Sequence, residues 1–304
     1  MKHPSLKQLS ANQERIASIL GPVKTIYTDV DGTMVGPGGC FFLSAQYDYT
    51  LKPARALLSA YRNDLDIVIV SGRNRLQLLE NARLLGTRHY IAELGCQIVH
   101  ELGKEVFFTA ADLVDKHPGK SVFQIIAESG AVEMLFENFA GRLEYHTPWS
   151  EQRECTHLFR GSIDIELANN MLQDHGFSPL KVIDNGVISR SGTLNGLPEI
   201  HAYHLLPKLS GKVEAVQKDR EIRSIPRSHT VAIGDAVSDL EIADQVGAFF
   251  LVKNALTKNS GIEQQAERFD NVFITSEEMG LGFAQVIKLL IETSSASRSE
   301  EKKD

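Results

Sequence analysis

Thr25-Ile26-Tyr27-Thr28-Asp29-Val30-Asp31-Gly32-Thr33-Met34-Val35 is the stretch on which the fold is decided. Lys24 to Thr28 carries apolar and β-favouring residues suited to a buried strand, and the run stops at two carboxylates one residue apart, followed by glycine. Side chains alternate along an extended chain, so Asp29 and Asp31 share one side if that conformation persists, with Val30 pointing away. Two carboxylates in one crevice repel each other, and a pair that stays ionised near neutral pH requires a cation beside it. A plain surface turn has the same D-x-D-G pattern, because Asp and Gly favour turns on conformational grounds alone. The rest of the chain decides between the two.

Downstream, Pro53 stands in a first helical turn with Leu57, Leu58 and Tyr61 behind it. Asp66 to Val70 then reads as a fully buried strand that ends in Ser71-Gly72-Arg73, and Leu76, Leu79 and Leu84 mark the next helix. This alternation predicts an α/β fold, a Rossmann-like parallel sheet whose ligands sit at the carboxyl ends of the strands. Asp29 and Ser71 then share a rim, although S-G-R by itself also suits a helix N-cap. His89 to His100 reads as a further strand and turn, with Glu105 to Phe108 as a hairpin partner. Upstream, Ser10 and Gln13 have capping-box spacing before Ile16, Ile19 and Leu20, a short helix closed by Gly21. Gly36 to Gly39 is expected to be a mobile turn beside the site; G-x-x-x-x-G-K-[ST] is absent, so it has no phosphate-loop signature.

From about Ala111 to about His201 the regular alternation stops. Cys155 to Asp164 reads as a strand into a turn, Glu166 to His175 as a helix stopped by Gly176, and Leu180 to Ser189 as a hairpin around Asn185-Gly186. We expect an α+β cap over 111–201 inserted into a core of 1–110 and 202–293, with a disordered polar tail over 294–304. His157, Arg160, Lys181 and Arg190 are the cap side chains that could meet an anionic substrate; the alternative is ordinary solvated surface.

The main unit resumes near Tyr203. Lys212 follows Ser210 and Gly211 at a helix start, where a cation is poorly placed for the helix dipole, and it could equally be an ordinary surface lysine. Thr230 to Ile233 is a third buried strand, ending in Gly234-Asp235 and followed by Ser238-Asp239. A strand over Phe249 to Val252, then Asn254, then two helices ending near Thr293 complete the reading.

Composition narrows the function. With 304 residues, 42% of them hydrophobic, the chain can bury a large core, so disorder belongs at its ends. A net charge of -7 argues against nonspecific nucleic-acid binding, which rests on a basic footprint, while a local cation still allows a small anionic substrate. The three cysteines, Cys40, Cys96 and Cys155, are odd in number and lack C-x-x-C spacing, which fits a reducing cytoplasm better than a disulfide framework or zinc site. The first ten residues lack the apolar core of a secretory signal, and apolar runs such as Ala248 to Val252 fall far short of the roughly 20 residues of a membrane helix. No G-x-G-x-x-G dinucleotide fingerprint is present.

Taken together, D-V-D-G-T, S-G-R and G-D-A-V-S-D at three strand ends, with a lysine at a helix start before the last, resemble the four motifs of the haloacid dehalogenase superfamily in order and spacing. The insert resembles the large α/β cap of the branch that includes Cof-type sugar phosphatases, sucrose-phosphate phosphatases and mannosyl-3-phosphoglycerate phosphatases. The resemblance implies a magnesium-dependent phosphomonoesterase acting on a small phosphorylated metabolite, a sugar phosphate or a glycosyl phosphoglycerate. By position it makes Asp29 the nucleophile on phosphorus and Asp31 the acid that protonates the leaving oxygen and later activates water. It implies a magnesium ion (Mg2+) on an Asp29 oxygen, the Asp31 main-chain carbonyl and Asp235, with Asp239 as ligand or as a partner to one. Lys212 becomes the second positive charge, Thr33, Ser71 and Gly72 become phosphoryl contacts, and Asn254 and Arg160 fall to the substrate. A carboxylate can attack without prior deprotonation, provided that its charge and that of the phosphate are offset.

Three positions depart from the pattern. Lys208 competes with Lys212 for the lysine role, and Lys212 is preferred for its place at the helix start. Glu93-Leu94-Gly95 stands where many relatives have Asn-Gly, and Ser238 where many have Asn. A phosphomutase of the same superfamily would keep both Asp29 and Asp31, whereas a dehalogenase has no role for Asp31. A catalytically silent relative would have lost Asp29, Asp31, Lys212 or Asp235, and all four are present.

Overall fold

In the computed structural model, residues 7–188 and 192–300 are described, without the side chains of 295–300. β1 (Thr25–Thr28) and β2 (Asp66–Val70) run parallel, and their side chains alternate between two apolar layers. Ile26, Ile67 and Ile69 pack on one face of the sheet, Tyr27, Val68 and Val70 on the other. A strand buried on both faces reads as a continuous apolar run, which makes these segments legible in sequence. β3 (His89–Ala92) extends the sheet in parallel, and β4 (Gln97–His100) and β5 (Glu105–Phe108) finish that edge antiparallel.

The chain then forms a separate antiparallel sheet from β6 (Leu143–Tyr145), β7 (His157–Gly161), β8 (Leu180–Val187) and β9 (His201–Pro207), in the order β6-β7-β9-β8. β10 (Thr230–Gly234), β11 (Ala248–Leu251) and β12 (Val272–Ile274) return to the first sheet, whose full order is β12-β11-β10-β1-β2-β3-β4-β5. Helices Lys52–Arg62, Arg75–Leu85 and Met279–Glu300 cover one face of it through Leu57, Leu78 and Phe283, and helix Lys212–Ile222 covers the other through Ala215 and Val216. The second sheet has its own core, in which Phe159, Leu172 and Leu205 meet Leu94 and Cys96 from the turn between β3 and β4. The fold is therefore α/β, a Rossmann-like parallel sheet with an inserted α+β unit.

Several expectations change. Asn185-Gly186 does not close a hairpin: both lie inside β8 at a register shift, with Gly186 at φ 96, because β8 takes β9 as its long-range partner. β9 thus belongs to the second sheet, and the chain leaves that sheet after Pro207 rather than near His201. A strand of three residues, β12, lies between the two helical stretches expected after Asn254. Ser10 sits within a 3-10 turn and caps nothing; Asn12 precedes helix Gln13–Ile19. The last helix continues to Glu300, past the expected end at Thr293, since Ser, Ala, Glu and Arg all tolerate helix once a packed segment has nucleated it.

Candidate active site

Parallel register brings the strand ends together. Thr28 lies opposite Ile69 of β2 and Ile233 of β10, so Asp29, Ser71 and Asp235 emerge on one rim. Gly32 turns the chain there at φ +86, and a Cβ at that position would stand 2.3 Å from Asp235 Oδ2. Glycine is required on both counts. Asp29, Asp235 and Asp239 are all buried, and one oxygen from each lies within 4.8 Å of the others.

Lysines answer part of this charge. Lys212 opens its helix as expected, and its buried Nζ donates to Asp29 Oδ1 at 2.9 Å and to Asp239 Oδ1 at 2.5 Å. Lys258 Nζ donates to Asp235 Oδ2 at 2.8 Å. Asp239 Oδ2 accepts the N–H groups of Asp235 and Ala236, which fixes the first turn of helix Val237–Leu240. The balance still falls short. Burial pushes the Asp29 carboxyl up to about 8; Lys212 pulls it down, and the charges of Asp239, Asp235 and Asp31 push it up again. Asp235 is raised chiefly by burial as well. Lys212 is held protonated because Asp239 and Asp29 outweigh the burial that opposes its charge. Three converging carboxylate oxygens with a deficit of positive charge suit a hard divalent cation such as magnesium.

Asp31 stands apart. The N–H groups of Thr33, Met34 and Val35 all turn back onto the Val30 carbonyl, so the extended conformation does not persist, although Asp29 and Asp31 still line one cavity. Its carboxylate is 55% exposed and is gripped by Arg73, Nε to Oδ2 at 2.8 Å and Nη2 to Oδ1 at 2.6 Å. Asn81 holds the same guanidinium at 2.9 Å. Ser71 and Gly72 line the same hollow, whereas the buried Thr33 hydroxyl has no partner and does not line it. The hollow is a cavity of about 1200 Å3; its far wall is formed by the inserted unit through His146, Trp149, Arg153, Leu158, Asn185 and His204.

No family model matches the chain. It is 25% identical over 268 residues to a phosphoglycolate phosphatase of Methanoculleus marisnigri, covering 88% of this chain and 96% of that protein. Among solved structures it matches the sucrose-phosphatase of Synechocystis, in complex with sucrose and phosphate, at TM-score 0.63 and 16% identity, covering 89% of this chain and 98% of that one. A haloacid dehalogenase-like hydrolase from Bacteroides thetaiotaomicron matches at TM-score 0.56 and 14% identity, covering 88% and 98%. The chain thus shares the fold of these haloacid dehalogenase-like hydrolases.

Within that fold, His157, Arg160 and Lys181, the described cap residues singled out from sequence, do not line the cavity. Arg160 Nε is bound to Glu144 at 2.6 Å. His157 is fully buried, stacked on Phe123 with its ring nitrogens against Tyr145 Oη and the Phe123 carbonyl, and burial lowers its pKa to about 4. Lys181 does not line the cavity, and Arg190 lies outside the described residues. Asn254 is a brace: its Nδ2 donates to the Gly32 carbonyl at 2.9 Å and its Oδ1 accepts from Met279 N at 2.8 Å. Lys208 is exposed, which leaves Lys212 in the site, and the Ser238 hydroxyl is buried without a partner.

The sequence reading missed Arg73, Lys258, Trp149, Arg153 and Glu93. Arg73 was in view within S-G-R, and Trp149 is the single tryptophan of the chain. Glu93, at the position that departs from the family pattern, is fully buried and accepts the N–H groups of Glu154, Cys155 and Thr156. It ties the core to the cap, a role with no local sequence signal.

Proposed function

We propose that this chain is a magnesium-dependent phosphomonoesterase that passes the phosphoryl group of a small phosphorylated metabolite to Asp29 and then to water. The observation that carries the reading is Asp29 itself, a buried carboxylate on a large cavity, 2.9 Å from Lys212, in a cluster short of positive charge. Asp29, Asp235, Asp239 and the Asp31 carbonyl would hold a magnesium ion, which would supply the positive charge that a carboxylate needs to approach a phosphate. Asp29 forms the new bond to phosphorus as the bond to the leaving oxygen breaks. Asp31, at the open rim, gives that oxygen a proton and takes one back from the water that cleaves the aspartyl phosphate. Lys212 holds the Asp29 charge, and the Ser71 hydroxyl and the Gly72 turn bind phosphoryl oxygens.

The leaving group faces the cap wall. A cavity of this size, with Trp149 and the polar tips of His146 and Asn185, suits a sugar phosphate or glycosyl phosphoglycerate better than a two-carbon acid. The fold neighbour named a sucrose-phosphatase falls within that range, and the relative named a phosphoglycolate phosphatase stands for the two-carbon alternative. Cytoplasmic work fits the three free cysteines. Among the described residues no helix is long and apolar enough to cross a membrane.

The test is orthophosphate release across phosphoglycolate, hexose phosphates, sucrose phosphate and glycosyl phosphoglycerates. We expect release that stops on exhaustive chelation and returns with Mg2+. Full activity after chelation, or conversion to an isomeric phosphate with none released, would overturn the reading.

A further inference from the structure

We propose that Arg153, a cap residue, is a positioning residue for the Ser71–Gly72 turn; the consequence for substrate rests on the phosphatase reading of that turn. The Arg153 side chain is 2% exposed. Burying a guanidinium costs several kcal/mol unless its donors are met. Here all three nitrogens are used: Nε donates to the Trp149 carbonyl at 3.1 Å, Nη1 to Thr156 Oγ1 at 2.7 Å and Nη2 to the Gly72 carbonyl at 2.8 Å. The buried Glu93 carboxylate approaches only to 3.7 Å and is taken up by backbone N–H groups of the cap and by the Thr156 hydroxyl at 2.9 Å, so it balances the charge without bonding the guanidinium directly. Orientation comes from the three oxygens, and Gly72 supplies the one that lies in the core.

The Gly72 carbonyl belongs to the same planar peptide unit as the Arg73 N–H. That N–H donates to Ser71 Oγ at 3.3 Å. The unit is therefore held at its oxygen by the cap and at its hydrogen by the Ser71 hydroxyl, and rotating it breaks both bonds. The residue on its far side, Arg73, grips Asp31. One cap guanidinium thus orients the peptide that sits between a phosphate-facing hydroxyl and the partner of Asp31. A Cβ on Gly72 would lie 3.1 Å from Asn185 Nδ2 and 3.3 Å from His204 Nε2, which shows how closely the cap wall approaches this backbone. Lysine cannot reproduce a planar fork that reaches several oxygens at once.

Two variants of the full-length protein test this. R153K keeps a charge near Glu93 but loses the fork; the double variant R153M/E93Q removes both buried charges, so neither is left unpaired. The first measurement is hydrogen exchange at the Arg73 amide, expected to quicken about tenfold or more in both variants, as the loss of one charge-assisted hydrogen bond implies, while β1 and β2 amides stay unchanged. The second uses inorganic phosphate with Mg2+ as the probe: its affinity should fall about tenfold, and KM for a hydrolysed phosphomonoester should rise by a similar factor with a smaller change in kcat. Wild-type exchange at Arg73 with wild-type phosphate affinity in a folded variant overturns the proposal, as does a lower melting temperature with unchanged kinetics. Should the wild-type chain hydrolyse no phosphomonoester, the phosphatase reading falls, and the Arg73 exchange rate still decides whether Arg153 holds the peptide.

Discussion

On the core wall of the cavity, burial acts on carboxylates; on the cap side, it acts on imidazoles. Asp29 is raised to about 8 by loss of water, and His157 is lowered to about 4 by the same cause. His204, which lines the cavity, is also pushed well down by burial, with Arg153 and Lys212 adding to it. Both regions are thus driven toward neutral side chains. The core sets Lys212 and Lys258 directly among the site carboxylates, whereas the cap's Arg153 is taken up by the Trp149, Thr156 and Gly72 oxygens beside the buried Glu93. Charge is concentrated where phosphoryl chemistry would need it. His157 and His204 are instead held toward the neutral form, and His157 meets Tyr145 Oη and the Phe123 carbonyl.

The sharpest way to break this contrast is Asp29→Asn. The change removes one charge with almost no change in shape, so the folded protein should persist while turnover falls on the order of 10^4-fold or more, as for other nucleophile removals. Normal phosphate release by a variant with a wild-type melting profile would end the nucleophile assignment. Gly32→Ala should have the next largest effect. Its Cβ would enter the space of Asp235 Oδ2, and the left-handed backbone adds a strain of about 1–3 kcal/mol. We expect weaker Mg2+ affinity by calorimetry, together with a roughly hundredfold loss of activity, since displacing a catalytic group by even an ångström carries that kind of penalty. Mg2+ binding at wild-type strength would show that the close approach of Gly32 to Asp235 is dispensable.

Stability against pH should separate the regions by sign. For metal-free protein, the raised Asp29 pKa means a contribution that is complete below about 3.8 and lost as pH climbs through about 8. The depressed His157 pKa means the reverse: stability present above about 6.5 and lost as pH falls toward about 4, worth up to about 3 kcal/mol over that window. His157→Phe keeps the ring that stacks on Phe123 and removes the titration. Its unfolding free energy should therefore change less between pH 7.5 and pH 4.5 than that of the wild type. An identical acid slope in the two proteins would mean that His157 is not held neutral by the cap.

How much of this was legible depends on whether the cause was local. β1, β2 and β10 announce themselves because each is buried on both faces, and their acids announce themselves because Asp and Gly end apolar runs. Lys212 and Asp239 follow from spacing within a helical turn. Asn185-Gly186 misled because its strong local turn preference is overridden by the pairing of β8 with β9. β12 is too short to show a period. Arg153 and Glu93 had no signal, since what gives them their roles is the approach of one unit to another. Asp31 shows the same limit on a smaller scale: alternation could place it on the cavity of Asp29, but not its ion pair with Arg73, which lies 42 residues on.

The smallest expected effect sharpens the comparison from the cap side. Arg160 was a candidate for the substrate because it is a cation on a cap strand, and a cap that recognised an anionic leaving group through it would carry charge on both walls. The structure spends that guanidinium elsewhere. Its Nε is bound to Glu144 at 2.6 Å, and it is not among the residues facing the cavity. Glu144 is itself lowered: burial opposes its charge, and the bonds from Thr193 and Arg160 outweigh that. Removing Arg160 therefore loses one partly exposed ion pair, a cost of about 1 kcal/mol or less, and touches no group placed on the reaction path. Arg160→Ala should leave kcat/KM within about twofold for every substrate hydrolysed, because surface and ion-pair changes away from a site alter neither binding nor transition-state contacts. A tenfold or larger loss confined to the preferred metabolite, with an aryl phosphate unaffected, would make Arg160 a substrate-facing cation of the cap and remove the contrast between the two regions.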